Sequence, residues 1–277
     1  MKISCFTFLN EAVKRGYPFR ESIRSALPVC DEFVVVVGPA EDGTVEALHE
    51  LNDPKIIIYR SMWNPNFRNW YVYGQQANIA LFNCTGDWAF YIQGDEILHE
   101  KDYDALRASM QKHLGNPKVE ALVFDYVHFY GNHNTQAWSP RWYRQEVRIV
   151  RNNLRVFFPN DAQYPILLLN NKRSRYLKAA MCDATMYHYG WVQSQFLTSG
   201  GCHPAPNCDQ IDASTLIPFT GTHPRTMHNL LKLEITELFA ADPSYKLTPR
   251  EYKHRIALYI ERLTGRTIGK KHFTLVE

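Results

Sequence analysis

Residues 86–98 read Gly86-Asp87-Trp88-Ala89-Phe90-Tyr91-Ile92-Gln93-Gly94-Asp95-Glu96-Ile97-Leu98, and this stretch decides the fold. The apolar run 88–92 has the length and composition of a buried strand, and it breaks at Gln93-Gly94-Asp95-Glu96. Two adjacent carboxylates just past a buried strand carry a large desolvation cost unless a cation or a substrate uses them. In open α/β sheets, ligands bind outside the carboxyl ends of the strands. An apolar strand that ends in acid therefore predicts an α/β sheet with its working site at that edge.

Upstream, strand and helix signals alternate. Residues 3–8 read as a strand, and Phe19, Ile23, Ala26 and Leu27 recur at helical spacing. Residues 33–37 form a continuous apolar run typical of a parallel strand covered on both faces. Asp42-Gly43-Thr44 offers a turn and an N-cap before Val45, Leu48 and Leu51. Residues 55–59 make a third strand, and 75–83 fit a helix with Ile79 and Phe82 inward. This order implies a mainly parallel sheet with right-handed crossovers.

Downstream the pattern is less regular. Residues 121–129, 147–150, 155–158 and 166–169 read as strands, and the proline-rich segment 193–224 has no clear periodicity. Met227, Leu230, Leu231, Leu238 and Phe239 form one stripe of a predicted helix. Thr248-Pro249-Arg250-Glu251 is a capping box with proline at the first helical position, and Tyr252, Ile256, Tyr259, Ile260 and Leu263 follow on one face.

Composition sets wide bounds. A chain of 277 residues can bury a sizeable core, and 31 Lys+Arg against 28 Asp+Glu is too balanced to indicate nucleic acid. No apolar run approaches the length of a bilayer span, and Met1-Lys2-Ile3-Ser4-Cys5 opens into a strand pattern rather than a leader, so a cytoplasmic protein is expected. Cys5, Cys30, Cys84, Cys182, Cys202 and Cys208 are widely spaced, which suits reduced thiols. Cys202, His203 and Cys208 with His223 and His228 invite a structural zinc reading, but they lack a paired C-x₂-C.

Five segments, in order, carry a resemblance. They are residues 4–11 (Ser-Cys-Phe-Thr-Phe-Leu-Asn-Glu), 30–38 with Glu41-Asp42-Gly43-Thr44, 76–81 with Gly86-Asp87-Trp88, the acidic corner, and Tyr187-His188-Tyr189-Gly190-Trp191-Val192. Together they resemble family 2 glycosyltransferases. The resemblance implies a GT-A-like, Rossmann-type α/β fold over residues 1–195, with a nucleotide-binding half (1–100) and an acceptor half (101–195). Residues 196–277 would be an irregular segment and C-terminal helices packed on that core. It further implies a nucleotide-diphosphate-sugar donor, a glycan or glycolipid acceptor with possible peripheral membrane contact, inversion, and help from Mn²⁺ or Mg²⁺.

By the same resemblance Asp95 and His188 would be metal ligands converging on one site, and the imidazole mildly favours Mn²⁺. Phe8, Asn10, Glu11, Gly38, Gln76, Asn78 and Gln93 match positions that line the nucleotide pocket. Gln93 stands where relatives usually have the first acid of D-x-D, and Gly38 where they commonly have another, so charge is missing at both. Glu96 would ligate, orient Asp95 or cap the next segment. An inverting transferase also needs a general base; Asp161, Glu146 and Asp183 are the candidates, with Asp161 preferred.

Arg141-Trp142-Tyr143-Arg144 suits gripping phosphate or an acidic acceptor, whereas Arg148, Arg151 and Arg155 read more simply as a solvated sheet face. Two other classes stay open: another nucleotide-binding α/β enzyme such as a nucleotidyltransferase, and a catalytically idle transferase fold kept for binding. The first lacks both G-x-G-x-x-G and G-x₄-G-K-[ST].

Overall fold

The computed structural model describes residues 1–64, 66–67, 70–192, 209–231 and 237–276. β1 (Ile3–Leu9), β2 (Glu32–Val37), β3 (Ile56–Arg60) and β4 (Trp88–Tyr91) run parallel in the spatial order β3-β2-β1-β4. The crossovers contain α1 (Phe19–Ala26), α2 (Thr44–His49) and α3 (Tyr71–Phe82). Alternate residues of one strand feed two cores. Phe33, Val35 and Val37 pack with Cys5 and Phe90 on one face of the sheet, while Val34 and Val36 pack with Phe6 and Tyr91 on the other. An unbroken apolar run is what a strand buried on both faces requires.

α3 faces the sheet differently from the expectation. Phe82 is 68% exposed, and the inward face is Gly74, Ala77, Asn78 and Leu81. The reason is proximity: a Cβ on Gly74 would lie 2.7 Å from the Asn160 carbonyl and 2.9 Å from that of Phe158, so the helix presents small residues to that loop.

The second half starts with β5 (Glu96–Leu98) and α4 (Tyr103–Leu114), the latter unmarked by any sequence signal used above. β6 (Ala121–Ala137) and β7 (Gln145–Arg151) are followed by the small separate sheet of β8 (Val156–Phe157), β9 (Ile166–Asn170) and β10 (Arg173–Arg175). β11 (Leu177–Val192) is a strand the periodicity did not announce, and β12 (Leu216–Pro218), α5 (Pro249–Thr264) and β13 (Phe273–Leu275) complete the order. The large sheet runs β13-β11-β6-β7-β4-β1-β2-β3, with β5 on β11 and β12 on β6. β7 lies antiparallel between β4 and β6, so it joins the parallel half to a mixed half in one continuous sheet. This is the expected GT-A-like α/β architecture, with parallel strands leading and a second half grafted on the same sheet.

Two C-terminal expectations change. Within the described residues the stripe from Met227 forms a 3₁₀ turn (Arg225–Met227) rather than a helix; Met227 and Leu231 are buried, and Leu238 is exposed. α5 has its capping box, with Thr248 Oγ1 accepting from Glu251 N–H and Glu251 Oε2 accepting from Thr248 N–H. Its apolar stripe, however, points away from the core. The helix packs instead through Leu258 and through Glu261, which pairs with Arg144 at 2.6 Å. Cys5, Cys30, Cys84 and Cys182 are buried free thiols; Cys202 and Cys208 lie outside the described residues. Among the described residues no helix is long and apolar enough to cross a membrane.

Candidate active site

β4 ends at Tyr91, and the chain turns through residues 92–95 into β5. That short strand pairs antiparallel with β11, His188 opposite Glu96 and Tyr187 opposite Ile97, while Tyr189 N–H donates to the Asp95 carbonyl at 2.8 Å. The pairing brings together two side chains 93 positions apart in sequence: His188 Nε2 lies 3.5 Å from Asp95 Oδ2. Both line a cleft of about 550 Å³ at the carboxyl ends of β1 and β4.

The histidine's state follows from its neighbours. β6 runs beside β11 with His128 in register with His188. His128 Nε2 is 2.6 Å from the Tyr143 carbonyl, so that nitrogen carries hydrogen. Burial, reinforced by the charge of His188, pushes His128 well below the usual histidine range, so it is neutral and its Nδ1 is bare. The 3.0 Å contact between the two Nδ1 atoms then assigns hydrogen to Nδ1 of His188. His188 Nε2 is left facing Asp95. Burial works against ionisation of both members of the pair, yet their mutual attraction outweighs it, lowering Asp95 and raising His188.

A divalent cation fits this pair. A Cβ on Gly190 would sit 2.3 Å from Asp95 Oδ2 and 2.9 Å from His188 Nε2, so only glycine keeps the space before both groups open. A separation of 3.5 Å is long for a hydrogen bond and suits two ligands across one ion with bonds of about 2.0–2.2 Å. Among the described residues no group of three or more His, Cys, Asp or Glu side chains could hold an ion, so substrate oxygens and water would supply the remaining ligands.

Glu96 has a different task. It is fully buried, with Arg148 Nη2 at 2.8 Å, Tyr126 Oη at 2.8 Å and Gln93 N–H at 3.0 Å. It therefore holds the corner rigid and has no face toward the cleft. Arg148 corrects the solvated-sheet reading, being fully buried in this ion pair. Arg151 is also taken up, lying over Trp88 at 4.7 Å and donating to the carbonyls of Val119 and Asn116.

Of the nucleotide-binding expectations, Phe8, Asn10 and Gln93 line the cleft. Phe8 stands in an aromatic wall with Trp63, Tyr73 and Tyr91, at centroid distances of 6.2, 5.6 and 6.3 Å. Asn10 Oδ1 and Trp63 Nε1 are buried and, among the described residues, carry no hydrogen bond. Gly38 lies directly behind them, since its Cβ would be 2.5 Å from Trp63 Nε1 and 2.7 Å from Asn10 Oδ1. Glycine there lets the indole lie against the sheet end.

Glu11, Gln76 and Asn78 do not line the cleft. Glu11 pairs with Lys14 at 2.9 Å. Gln76 is buried, bonded to Ser61 and to the Met62 carbonyl, and so anchors the loop that carries Trp63. Asn78 grips Phe158 from both sides, donating to its carbonyl at 2.8 Å and accepting from its N–H at 2.8 Å.

That grip sets the loop bearing Asp161, the one candidate base that lines the cleft. Glu146 is buried against His272, 2.7 Å away, and not against the arginines beside it in sequence. Asp183 is exposed in a bulge of β11 at φ 54°. Arg141, Trp142 and Tyr143 reach the cleft, whereas Arg144 turns to Glu261. Of the zinc candidates, Cys202, His203 and Cys208 lie outside the described residues; His223 bonds Tyr189 Oη at 2.8 Å, and His228 lies 3.2 Å from the His223 carbonyl.

The sequence did not mark His128, Trp63, Tyr73 or Arg15, all of which line the cleft. Their signal is spatial: each comes from a different element, and none belongs to a recognisable spacing.

No protein-family model matches the chain, and no curated protein matches it. Among solved structures it is similar to S. aureus TarS, at 15% identity and TM-score 0.42 over 68% of this chain and 37% of that one. It is also similar to S. aureus TarS 1-349 in complex with UDP-GlcNAc, at 14% identity and TM-score 0.43 over 76% and 65% of the two chains. A third is glucosyl-3-phosphoglycerate synthase from Mycobacterium tuberculosis in complex with Mn²⁺, UDP and phosphoglyceric acid, at 14% identity and TM-score 0.38 over 58% and 60%. The chain spans less than two thirds of the length of each of these structures.

Proposed function

We propose that this chain is a glycosyltransferase that moves a sugar from a nucleotide-diphosphate donor to a glycan or glycolipid acceptor with inversion. The observation that carries the reading is the meeting of Asp95 and His188 over Gly190, at the carboxyl end of a parallel sheet and inside an aromatic cleft. When bound there, a divalent cation, Mn²⁺ mildly favoured over Mg²⁺, supplies charge neutralisation for the leaving diphosphate.

The chain's own residues do the rest. Phe8, Trp63 and Tyr73 offer faces for a planar base. Gln93 lines the same side, with Nε2 donating to Tyr91 Oη at 3.3 Å. Arg141 stands on the cleft as a cation for phosphate or an acidic acceptor. Asp161 takes the proton from the acceptor hydroxyl as that oxygen bonds to the anomeric carbon and the bond to diphosphate breaks. His128 sets which nitrogen of His188 faces the cleft.

A second reading, an idle transferase fold that binds nucleotide or glycan, is favoured by Gln93 at the first acid position, since an amide adds no charge to the metal corner. Assay of a panel of nucleotide sugars for hydrolysis and transfer, with and without Mn²⁺, separates the two. The transferase reading expects turnover with at least one donor, and a loss of more than about tenfold in Asp95→Asn. Nucleotide binding without turnover establishes the second reading, and equal activity in parent and Asp95→Asn removes the acidic corner from catalysis.

A further inference from the structure

α5 has two faces with opposite fates. Glu251 and Leu258 are buried, and Glu261 pairs with Arg144. On the other side Tyr252, Ile256, Tyr259, Ile260 and Leu263 are 56%, 62%, 63%, 41% and 68% exposed. At about 100° per residue these five fall in an arc roughly 100° wide, with Leu258 on the far side of the helix. Scattered apolar residues on a surface need no account, but five large ones in a single helical stripe do.

Charge identifies what the stripe meets. Seven of the chain's 31 Lys+Arg, but only two of its 28 Asp+Glu, fall in residues 249–271, so the remainder of the chain is net acidic. Those two acids are turned inward, Glu251 to Thr248 and Tyr245, and Glu261 to Arg144. Lys253 borders one side of the apolar arc and Arg255 and Arg262 the other; Arg255 holds Asp212 at 2.7 Å. Arg250, Lys253, Arg262, Arg266 and Lys270 are exposed, and among the described residues they form no ion pair. A second copy of this helix would bring like charges together, which argues against self-pairing.

We propose that α5 is an interfacial helix that docks this protein on an anionic lipid bilayer. Ile256, Ile260 and Leu263 enter the acyl boundary, Tyr252 and Tyr259 sit at headgroup level, and the basic rows meet lipid phosphate. The helix does not span the bilayer; it lies in the interface plane. Arg144, which it holds, is three residues beyond Arg141 of the cleft, so on the transferase reading docking brings the acceptor side beside lipid. The docking itself is independent of that reading.

Co-sedimentation with vesicles of equal phosphatidylglycerol and phosphatidylcholine, against pure phosphatidylcholine, tests it. The full chain is expected to bind the anionic vesicles at least about tenfold more tightly, and to lose that margin in about 0.5 M salt. The double variants Ile256→Ser/Leu263→Ser and Lys253→Glu/Arg262→Glu are each expected to weaken binding about tenfold or more, with unchanged unfolding temperature, because all four side chains are exposed. Hydrogen exchange of the unaltered chain, with and without vesicles, gives a reading free of folding effects: protection should concentrate in residues 249–268. Equal binding to neutral vesicles, undiminished binding by the apolar variant, or protection elsewhere overturns the proposal. So does light scattering that finds a dimer which Ile256→Ser/Leu263→Ser dissociates, since the face then belongs to a second copy.

Discussion

On one side of the cleft the wall is aromatic; beneath the other lies a buried ionic support that is closed on itself. Phe8, Trp63 and Tyr73 come from a strand end, a loop and a helix, and their rings pack on one another. Beneath the opposite side two sets of buried groups satisfy themselves: Glu96 with Arg148 and Tyr126, and His128 with His188 and the Tyr143 carbonyl, through contacts between 2.6 and 3.2 Å. The difference separates recognition from support. A stacked wall of ring faces suits a planar ligand that arrives and leaves. A buried ionic wall has to be complete in the protein alone, because an uncompensated charge there costs several kcal/mol.

If that division holds, substitutions on the two walls fail in different ways. Asp161 sits outside the ionic network, its Oδ1 accepting only from Gln163 N–H at 3.3 Å. Asp161→Ala should therefore lose roughly 10²- to 10⁴-fold in transfer while binding nucleotide normally and melting at the parent temperature. Should it keep its activity while Asp183→Ala or Glu146→Ala loses it, the base lies elsewhere. Glu96→Gln makes the opposite test. It strands the Arg148 cation in the core and should lower unfolding free energy by about 3–5 kcal/mol in denaturant titration. A variant as stable as the parent would mean the ionic wall is dispensable.

Acid sharpens the comparison within the parallel half of the sheet. Burial raises Glu32, but bonds from Ser4, Lys2 and Thr85 more than reverse that and lower it to about 2. A carboxyl depressed on folding stabilises above its unfolded value near 4.5, and that stabilisation is lost as pH falls toward 2. Unfolding free energy measured from pH 5 to 2 should fall for the parent by roughly 1–3 kcal/mol more than for Glu32→Gln. Parallel curves would remove Glu32 as the source. The smallest effect belongs to the aromatic wall. Trp63→Ala removes one ring from the wall, so nucleotide affinity should drop by about fivefold, near 1 kcal/mol. Calorimetric titration with UDP and GDP would detect it, and an unchanged affinity would exclude that ring from base recognition.

Legibility followed the range of the interactions. The run from Phe33 to Val37 and the break at Gln93 were readable because each depends on neighbours a few positions away, as did the cap at Thr248. Asp95 and His188 could be paired only through a resemblance to a family, since nothing local to either mentions the other. Arg148 looked solvated because an arginine on a strand usually is; its partner lies 52 positions upstream. Periodicity alone predicts Phe82 inward, although Gly74 and Asn78 decide which face of α3 meets the Phe158 loop. For α5 the stripe itself was legible, but its direction was not, because Glu261 and Leu258 choose the face that packs.

By itself the sequence determined the alternation of strands and helices in the first hundred residues, the acidic corner at a strand end, the capped amphipathic helix near the C-terminus and the near-neutral charge that leaves nucleic acid without support. These are short-range properties, written in side-chain period, turn chemistry and composition. Only the tertiary structure decided that Asp95 faces His188 over Gly190, that Glu96 and Arg148 close the corner, that His128 orients His188, and that Asp161 rather than Glu146 or Asp183 reaches the cleft. Each of these depends on the register of strands far apart in the chain, above all β5 and β6 on β11. Register is chosen by the burial of whole faces, and shifting it by one residue would turn His188 and its neighbours to the other side of the sheet.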